Sequence, residues 1–330
     1  MAVEPLPLGR GFTQFRGTCT SVSFVITVVG EALIDIIVDP AGNVTSVVGG
    51  APLNTARTIA RLGVPATFLG GVSTDAFGAR IMRLLEADGV GYALGKQVDE
   101  PTTLAIAQID ADGAATYRFM MEGTSAAAVT SQAALSHVGP QCSALHVGTL
   151  GLVLQPLADA TAAVVSASPA DRLVMVDPNC RPSVMSSSDV FDRTLRAVLE
   201  RADVVKVSGD DLAFIYPSIE VHDAAVRLQR ESGAVVLFTD GAKSVHVLTE
   251  SDDVVLEVPK VAVVDTVGAG DSFSGGFLAQ WQSKGLGRAD VANLDEVLSA
   301  ARFGIAVAAI TCQRAGADPP NVQEVEMCRR

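Results

Sequence analysis

The chain has 330 residues, of which 48 % are apolar, 18 % charged and only 5 % aromatic, and its formal net charge is −13. The length fits one large α/β domain with an accessory piece or two equal domains, and the composition excludes a disordered, collagen-like or disulfide-framework protein. The negative charge disfavours nucleic acid and membrane partners and favours a small-molecule ligand.

The first residues and the cysteines bear on location. Residues 1–23 contain no apolar run of signal-peptide length, so we interpret them as a flexible tail before a domain that spans residues 24–330. The five cysteines are odd in number and show no paired spacing, which argues against disulfides or a zinc site. No segment approaches the roughly 18 unbroken apolar residues of a membrane helix. We therefore expect a soluble, cytoplasmic protein.

Short apolar runs predict strands that are buried on both faces, at residues 25–29, 144–147, 173–176, 204–207 and 235–238. Helical patterns lie between most of them, at residues 52–62, 76–85, 157–168, 190–201, 221–232, 271–284 and 294–310. Pro52 and Gly63 mark the ends of the first helix, and Asp75 can cap the second. The alternation predicts a mostly parallel sheet between layers of helices, with ligands at the carboxyl ends of the strands.

Two segments read as antiparallel hairpins instead. Residues 34–38 and 44–48 flank a turn with Pro40 and Gly42, and residues 104–109 and 115–119 flank a turn that contains Gly113. We interpret them as one small β accessory, roughly within 34–48 and 98–122, that covers a cleft as a lid and excludes water. A sheet edge or a dimer contact is the alternative.

The most informative segment is residues 261–273. Its first four residues predict a strand, and a glycine-rich turn and a helix follow. The small residues Gly268, Ala269 and Gly270 let backbone amides converge at the helix N-terminus, which can hold the charge of a transferring phosphoryl group. Asp271 faces these amides and is the candidate base for a hydroxyl proton, and the helix N-terminus predicts that it stays ionised and weakly basic. An ordinary tight joint with a capping Asp is the alternative.

Other phosphate and nucleotide motifs do not fit. No Lys-Ser/Thr pair completes a Walker A loop, and no partner motifs of a protein kinase occur. Residues 30–35 follow the first strand without the glycines of a dinucleotide fingerprint. A nicotinamide-dependent oxidoreductase is therefore the weaker α/β alternative.

Residues 265–271 read Asp Thr Val Gly Ala Gly Asp, which resembles the C-terminal signature of the pfkB, or ribokinase-like, carbohydrate kinases. Residues 49–56, 61–63 and 70–78 are similar to the family's N-terminal signature and occur in the same order. The resemblance covers residues 25–320. It implies a ribokinase-like three-layer α/β/α fold with a mostly parallel central sheet and a small β-sheet lid, and it implies ATP, Mg²⁺ and a sugar substrate.

The resemblance also implies roles for individual residues. The catalytic residues would be Asp271, Arg181 and the glycine turn of Gly268, Ala269 and Gly270. The planar guanidinium group of Arg181 matches the geometry of phosphate oxygens. Sugar binding would involve Asp271 together with Asp35, Gly49, Gly50, Asn54 and Asn179. Without the resemblance, the residue types favour plainer roles: a turn for Asp35, a strand end for the glycines and a helix cap for Asn54. A surface salt bridge is the plain alternative for Arg181.

Nucleotide and metal contacts follow from the same resemblance. The nucleotide would contact Lys206, Ser208, Thr239, Gly241, Gly268, Gly270, Ala300 and Gly304. Asp211 would orient water on Mg²⁺, although Ser208 and Asp211 stand where the family carries Asn and Glu, and helix capping is the alternative. A monovalent cation, K⁺, has candidate ligands in the loops of Asp265, Val267 and Ala315.

Residues 30–35, 177–182 and 311–320 look most like bacterial fructokinases, which implies fructose and its 6-hydroxyl as acceptor. Kinases of 2-keto-3-deoxygluconate, ribose or inositol share these motifs, and a sugar- or nucleotide-binding regulator without turnover is the alternative of another class. The resemblance also implies a homodimer. The histidines, His137, His146, His222 and His246, are not grouped in the sequence, and we interpret them as structural or surface residues.

Overall fold

A computed structural model describes residues 24–110, 115–186 and 188–328. The predicted tail at residues 1–23 and the turn at residues 111–114 of the second hairpin lie outside the described residues.

The strands are β1 (Val25–Val29), β2 (Leu33–Val38), β3 (Val44–Gly49), β4 (Ala66–Leu69), β5 (Gly91–Tyr92), β6 (Leu104–Ile109), β7 (Ala115–Met120), β8 (Cys142–Gly148), β9 (Leu173–Asp177), β10 (Val204–Ser208), β11 (Val235–Thr239), β12 (Ser244–Leu248) and β13 (Asp253–Glu257). The α-helices are α1 (Ala51–Arg61), α2 (Ala76–Ala87), α3 (Ser131–His137), α4 (Leu157–Ser166), α5 (Pro182–Met185), α6 (Asp189–Leu199), α7 (Gly209–Ile215), α8 (Val221–Ser232), α9 (Ala269–Ser283), α10 (Leu294–Thr311) and α11 (Val322–Met327).

The larger sheet has the order β13-β12-β11-β10-β9-β8-β1-β4-β5 in the described part of the chain. Its neighbouring strands are parallel except at one edge, where β12 runs antiparallel to both β11 and β13. The inner strands are apolar on both faces because helices cover both faces. One apolar core lies against α1, α9 and α10, and another lies against α4, α6 and α8. The predicted three-layer α/β/α fold with a mostly parallel sheet is therefore confirmed.

The smaller sheet has the order β3-β2-β6-β7. The two predicted hairpins form its antiparallel pairs, and a parallel contact between β2 and β6 joins them. Leu33 and Ala105 from this sheet pack with Leu150, which follows β8 of the larger sheet. The smaller sheet is thus held next to the carboxyl end of β8, the edge at which ligands of parallel sheets bind.

The local signals placed most helices to within about two residues, as expected for frayed ends. Asp75 caps α2 by accepting a hydrogen bond from the Gly78 amide. The strand predicted at residues 261–264 is wrong: this segment has no strand structure, and Val263 and Val264 are more than half exposed. Its amides at Val264 and Asp265 both donate to the carbonyl of Cys312, in the turn after α10, so they do not pair with a strand.

No helix in residues 24–110, 115–186 and 188–328 combines the length and the apolar character needed to span a bilayer.

Helices α9 and α10 approach each other closely through glycines. A Cβ atom at Gly276 would lie 3.0 Å from the Cα atom of Gly304. A Cβ atom at Gly304 would lie 2.7 Å from the carbonyl oxygen of Phe273 and 3.1 Å from its ring. Because the backbone of α9 cannot move away without disturbing the core, these glycines set the distance between the two helices.

We expect Gly304→Val to lower the free energy of unfolding by about 1–3 kcal/mol, because the larger side chain overpacks this contact. Denaturant unfolding followed by circular dichroism measures the change. Ala306→Val on the same helix is the control, since Ala306 is only half-buried and its replacement costs mainly the lower helix propensity of valine. Equal effects of the two substitutions would contradict the packing role of Gly304.

Candidate active site

The glycine turn places the start of α9 at the centre of the candidate site. Gly268 precedes the helix with φ 76°, a left-handed conformation that suits glycine, and a Cβ atom there would lie 2.6 Å from the Cβ of Ala317. The Ala269 amide donates to the carbonyl of Thr266, and the first bond of the helical ladder runs from Ser272 to Gly268. The amides of Gly270 and Asp271 therefore belong to the helix turn whose donors lack partners in the helix.

Asp271 is the third residue of α9, and its side chain is buried. Its Oδ2 atom accepts a hydrogen bond of 2.9 Å from the side-chain amide of Asn54. Asn54 lies inside α1 and not at its start, so the alternative that it caps this helix is wrong. Thr55, its neighbour on α1, donates to the backbone carbonyl of Asp271 at 3.4 Å. Helix α1 thus holds the carboxylate in one orientation.

The electrostatic setting of Asp271 differs from the one that the sequence predicts. Burial raises the pKa of Asp271 above its ordinary value, although the hydrogen bond from Asn54 and the charges of Lys206 and Arg181 act to lower it. The expectation of a weakly basic carboxylate is therefore wrong, because it considered the helix N-terminus and not the desolvation. A carboxylate with a raised pKa is the better proton acceptor.

A buried ion pair lies beneath the first turns of α9. The ammonium group of Lys206 on β10 is 3.1 Å from Oδ2 of Asp177 at the end of β9. Ser274 on α9 donates to the same carboxylate oxygen at 3.3 Å. Burial lowers the pKa of Lys206, but the charges of Asp177, Asp211 and Asp271 and the hydrogen bond to Asp177 together outweigh it and raise the pKa, so the lysine stays cationic.

The Lys206 ammonium also reaches the glycine turn. A Cβ atom on Gly270 would lie 2.8 Å from Nζ of Lys206, so a side chain at position 270 would displace the cation. Sequence reasoning named Gly270 from the glycine-rich turn and Lys206 only through the family resemblance, and it gave no role to Asp177 or Ser274. Two signals were available in the sequence: a lysine in the middle of an apolar strand, and an acid at the end of the preceding apolar strand.

Arg181 lies in the loop after β9. Its Nη1 atom donates to Oδ1 of Asn179 at 2.6 Å, and Asn179 itself has a left-handed backbone with φ 39°. Within the described part of the chain Arg181 forms no ion pair, so the alternative of a surface salt bridge is not what the structure shows. Burial raises the pKa values of three carboxyl groups, those of Glu31, Asp35 and Asp271, and the positive charge of Arg181 acts to lower each of them. The guanidinium group is therefore close enough to all three acids to interact with them electrostatically.

Asp35 lies on β2, within the smaller sheet and not in a turn. A Cβ atom on Gly49 of the neighbouring strand β3 would collide with the Asp35 carboxylate, so the absence of a side chain at position 49 leaves room for this group. Gly50 follows with φ 112° and precedes α1, which carries Asn54. Burial raises the pKa of Asp35 to about 6, and the charge of Arg181 acts against this shift. Asp35 is thus mostly ionised at neutral pH.

Glu31 is a residue of the site that sequence reasoning missed. It lies between β1 and β2 with 1 % of its surface exposed, and its Oε2 atom accepts a hydrogen bond of 3.1 Å from the Leu150 amide. Burial raises the pKa of Glu31 to about 8, so the group is largely protonated at neutral pH. The only signal was an acid between two apolar strands.

Ser208 and Asp211 form a capping box at the start of α7. Oδ2 of Asp211 accepts hydrogen bonds from the amide and hydroxyl groups of Ser208, and Oδ1 accepts one of 2.6 Å from the Cys180 amide. The structure therefore shows the capping alternative. Contact of Ser208 with nucleotide and of Asp211 with Mg²⁺ stays a prediction.

The two loops predicted for a monovalent cation are joined by Asp265. Its carboxylate accepts hydrogen bonds from the amides of Val267 at 3.0 Å and Gly316 at 2.8 Å. These bonds leave the backbone carbonyls as the oxygens that a cation would bind. Ala315 directly precedes Gly316, so the candidate ligands of Asp265, Val267 and Ala315 lie on loops that are held together.

The other residues assigned to nucleotide lie on two elements. Thr239 ends β11 and donates to the carbonyl of Val207 at 3.2 Å, and Gly241 follows in a turn. Ala300 and Gly304 are buried on α10, and the contact with Phe273 accounts for Gly304 by packing. Nucleotide contacts of these four residues stay predictions.

Comparisons with known proteins agree with this arrangement. The model of the pfkB family of carbohydrate kinases matches residues 24–324. A fructokinase of Rhizobium leguminosarum bv. trifolii is 33 % identical over 273 residues, which are 81 % of this chain and 83 % of that protein.

Solved structures have the same fold. The crystal structure of a fructokinase from Xylella fastidiosa with bound ATP has a TM-score of 0.80 and 25 % identity, and the match covers 92 % of this chain and 97 % of that one. The fructokinase of Vibrio cholerae with bound fructose, ADP and calcium ion has a TM-score of 0.79 and 24 % identity, with coverage of 94 % and 100 %.

The match over residues 24–324 includes both edges of the larger sheet, the smaller sheet and the start of α9 that carries Asp271. The chain belongs to the pfkB family of carbohydrate kinases.

Proposed function

We propose that this kinase transfers the γ-phosphoryl group of ATP to the 6-hydroxyl of fructose. The observation that carries the proposal is the buried carboxylate of Asp271, which lies at the N-terminus of α9 and within the electrostatic reach of Lys206 and Arg181. A carboxylate base next to cations and free helix amides is the set of groups that phosphoryl transfer to an alcohol needs. Fructokinases at about a third identity support fructose as the acceptor.

Asp271 would accept the hydroxyl proton. Its raised pKa makes it a stronger base than an exposed aspartate, and the hydrogen bond from Asn54 to Oδ2 leaves Oδ1 to face the acceptor. The proton can leave late in a loose transition state, so a carboxylate suffices as base.

Charge on the transferring group would be held by the amides at the start of α9 and by the two cations. The helix dipole favours negative charge there, and the guanidinium fork of Arg181 suits phosphate oxygens. Lys206 is fixed by Asp177 at 3.1 Å and stands against Gly270, so its ammonium group needs no rearrangement to reach this corner. Such fixed charges are the main source of electrostatic stabilisation in catalysis.

The smaller sheet would act as the lid. It brings Asp35 and Gly49 to the same side as Arg181, and it packs through Leu33 on Leu150. A sugar bound under this sheet would be shielded from water, which limits transfer of the phosphoryl group to water.

The residues present fit Mg²⁺ and K⁺ to different degrees. The oxygens of Asp211 are engaged by Cys180 and Ser208, so Asp211 would contact Mg²⁺ only through water. When bound, Mg²⁺ neutralises charge on the phosphates of ATP. The loops of Asp265 and Ala315 offer carbonyl oxygens to K⁺, which would tie the start of α9 to the segment after α10.

We also propose a cytoplasmic homodimer. Val47, Tyr117 and Met120 on the smaller sheet are large apolar residues that are about half exposed, which suits a protein contact. Use of ATP and the free thiols of Cys142, Cys180, Cys312 and Cys328 suit a reducing compartment.

The acceptor is tested by measuring ADP release with a panel of fructose, ribose, 2-keto-3-deoxygluconate, inositol and nucleosides. We expect the highest kcat/KM with fructose, since a site built to hydrogen-bond particular hydroxyls rejects sugars that leave its polar groups unpaired. A higher kcat/KM with another sugar would show that fructose is not the preferred acceptor, but the protein would still be a sugar kinase. Binding of sugar and ATP without ADP release would instead favour the alternative of a sugar- or nucleotide-binding regulator without turnover.

We expect Asp271→Asn to lower kcat at least about a hundredfold, because the amide cannot accept the proton. Isothermal titration should show ATP affinity nearly unchanged. Asp295→Asn is the matched control, since Asp295 is an exposed acid in the first turn of the neighbouring helix α10 and should leave kcat unchanged. Near-normal turnover of Asp271→Asn would show that another group is the base.

The pKa of Asp35 predicts how sugar binding changes with pH. Below pH about 6 the carboxyl group becomes protonated and loses acceptor capacity, so the KM for fructose should rise by up to about tenfold per pH unit. Steady-state kinetics from pH 5 to 8 measures this, at saturating ATP. Asp35→Asn should have a high KM that no longer changes over this range; an unchanged pH dependence in that variant would refute the assignment.

A further inference from the structure

A group of three side chains lies at the edge of the larger sheet, away from the active site. His222 comes from the first turn of α8, His246 from β12 and Asp253 from the start of β13. One ligand atom of each lies within 4.8 Å of the others. Nε2 of His222 is 2.7 Å from Oδ2 of Asp253, and Nδ1 of His246 is 3.2 Å from Oδ1 of the same carboxylate. Because His222 and His246 are far apart in the sequence, the sequence alone did not show them as a group.

We propose that His222, His246 and Asp253 form a binding site for a divalent transition metal ion, for which Zn²⁺ is the best match. Two imidazoles and a carboxylate are the ligand types that zinc accepts, at bond lengths of about 2.0–2.2 Å. Tetrahedral bonds of that length separate neighbouring ligand atoms by about 3.3 Å. The present separations of 2.7 and 3.2 Å run from the two imidazoles to different oxygens of Asp253, and one ligand atom of each residue lies within 4.8 Å of the others, so side-chain rotations would bring all three onto one ion.

The backbone holds the ligands on one surface. In the pairing of β12 with β13, Leu248 is opposite Asp253 and His246 is opposite Val255. Since side chains two residues apart on a strand share a face, His246 and Asp253 point to the same side of the sheet. Helix α8 covers that side and supplies His222.

Aromatic contacts fix the two imidazole rings. The ring of His246 stacks on Phe238, its cross-strand neighbour on β11, with 5.3 Å between the centroids. The ring of His222 meets that of His246 edge to face, also at 5.3 Å. Ligands that are already ordered cost less entropy when a metal binds.

The surrounding charge is negative. Between Lys243 and Lys260 the chain has no lysine or arginine, but it has four acids at residues 250, 252, 253 and 257. Glu220 and Asp223 flank His222 at the start of α8. The side chains of His222 and Asp253 are 40 % and 38 % exposed, so an ion can enter and a water molecule can fill the fourth position.

The site is separated from the kinase site by the sheet. Phe238 and Leu248, on the side of His246, belong to the core under α4, α6 and α8. Val245 and Val247, on the opposite side, belong to the core with α9 and α10. A metal here would fasten the edge hairpin to α8 and would not contact Asp271.

Isothermal titration of the untagged, metal-free full chain with ZnCl₂ tests the proposal. We expect one ion per chain with a Kd below about 10 µM, and a rise in Tm with added zinc, because binding to the folded state stabilises it. Titration with Co²⁺ should give ligand-field bands without thiolate charge-transfer absorption, which excludes binding by the cysteines. Absence of binding at this affinity, or a thiolate spectrum, overturns the proposal.

His222→Asn should weaken zinc binding at least about tenfold and remove the rise in Tm. His137→Asn, at an exposed histidine on α3 outside the group, is the matched control and should bind zinc normally. Sugar kinase turnover should be unchanged in both variants. If His222→Asn alters the fold, Asp253→Asn is the second variant to test, and its zinc affinity should also fall. Normal zinc affinity in folded His222→Asn or Asp253→Asn would contradict the site.

Discussion

The buried hydrogen bond between Asn54 and Asp271 is the interaction on which the site depends. It joins α1 to the first turn of α9 across 217 positions of sequence, at 2.9 Å. Burying a carboxylate is unfavourable unless it has partners, and here those partners come from three separate parts of the chain: the amide from α1, Lys206 from β10 and Arg181 from the loop after β9. The strand order that brings these elements to one edge is therefore a requirement of the chemistry.

A gain in stability does not explain the buried ion pair that lies beneath α9. The Asp177–Lys206 pair lies in the sheet with 2 % and 4 % exposure, and both ring nitrogens of nearby His146 are buried without a hydrogen-bond partner among the described residues. Replacing such groups with apolar side chains of the same size is often neutral or stabilising. The pair fixes the ammonium group of Lys206 against Gly270, and so places a cation next to the glycine turn in an otherwise apolar core.

The sequence was sufficient where a signal is local and failed where it depends on distant partners. Apolar runs and helical patterns placed β1, β10 and α8 closely because strand and helix periods are properties of neighbouring residues. Residues 261–264 have the composition of a strand, but the amides of Val264 and of the following Asp265 bond to the carbonyl of Cys312, which no local pattern shows. Desolvation of Asp271 and the capping bonds of Asp211 likewise depend on residues that only the fold brings together.

Glu31 and Asp35 show how the depth of burial, as the largest cause, gives two nearby acids different protonation states. They lie four residues apart, Glu31 between β1 and β2 and Asp35 on β2, and the charge of Arg181 acts on both. Glu31 is more deeply buried and stays largely protonated at neutral pH, while Asp35 on the smaller sheet is mostly ionised. A deprotonated Glu31 would raise the pKa of Asp271 further, so a neutral Glu31 keeps a second negative charge away from Asp271. The depth at which the smaller sheet joins the larger one therefore sets which of the two carboxyl groups is an anion at neutral pH.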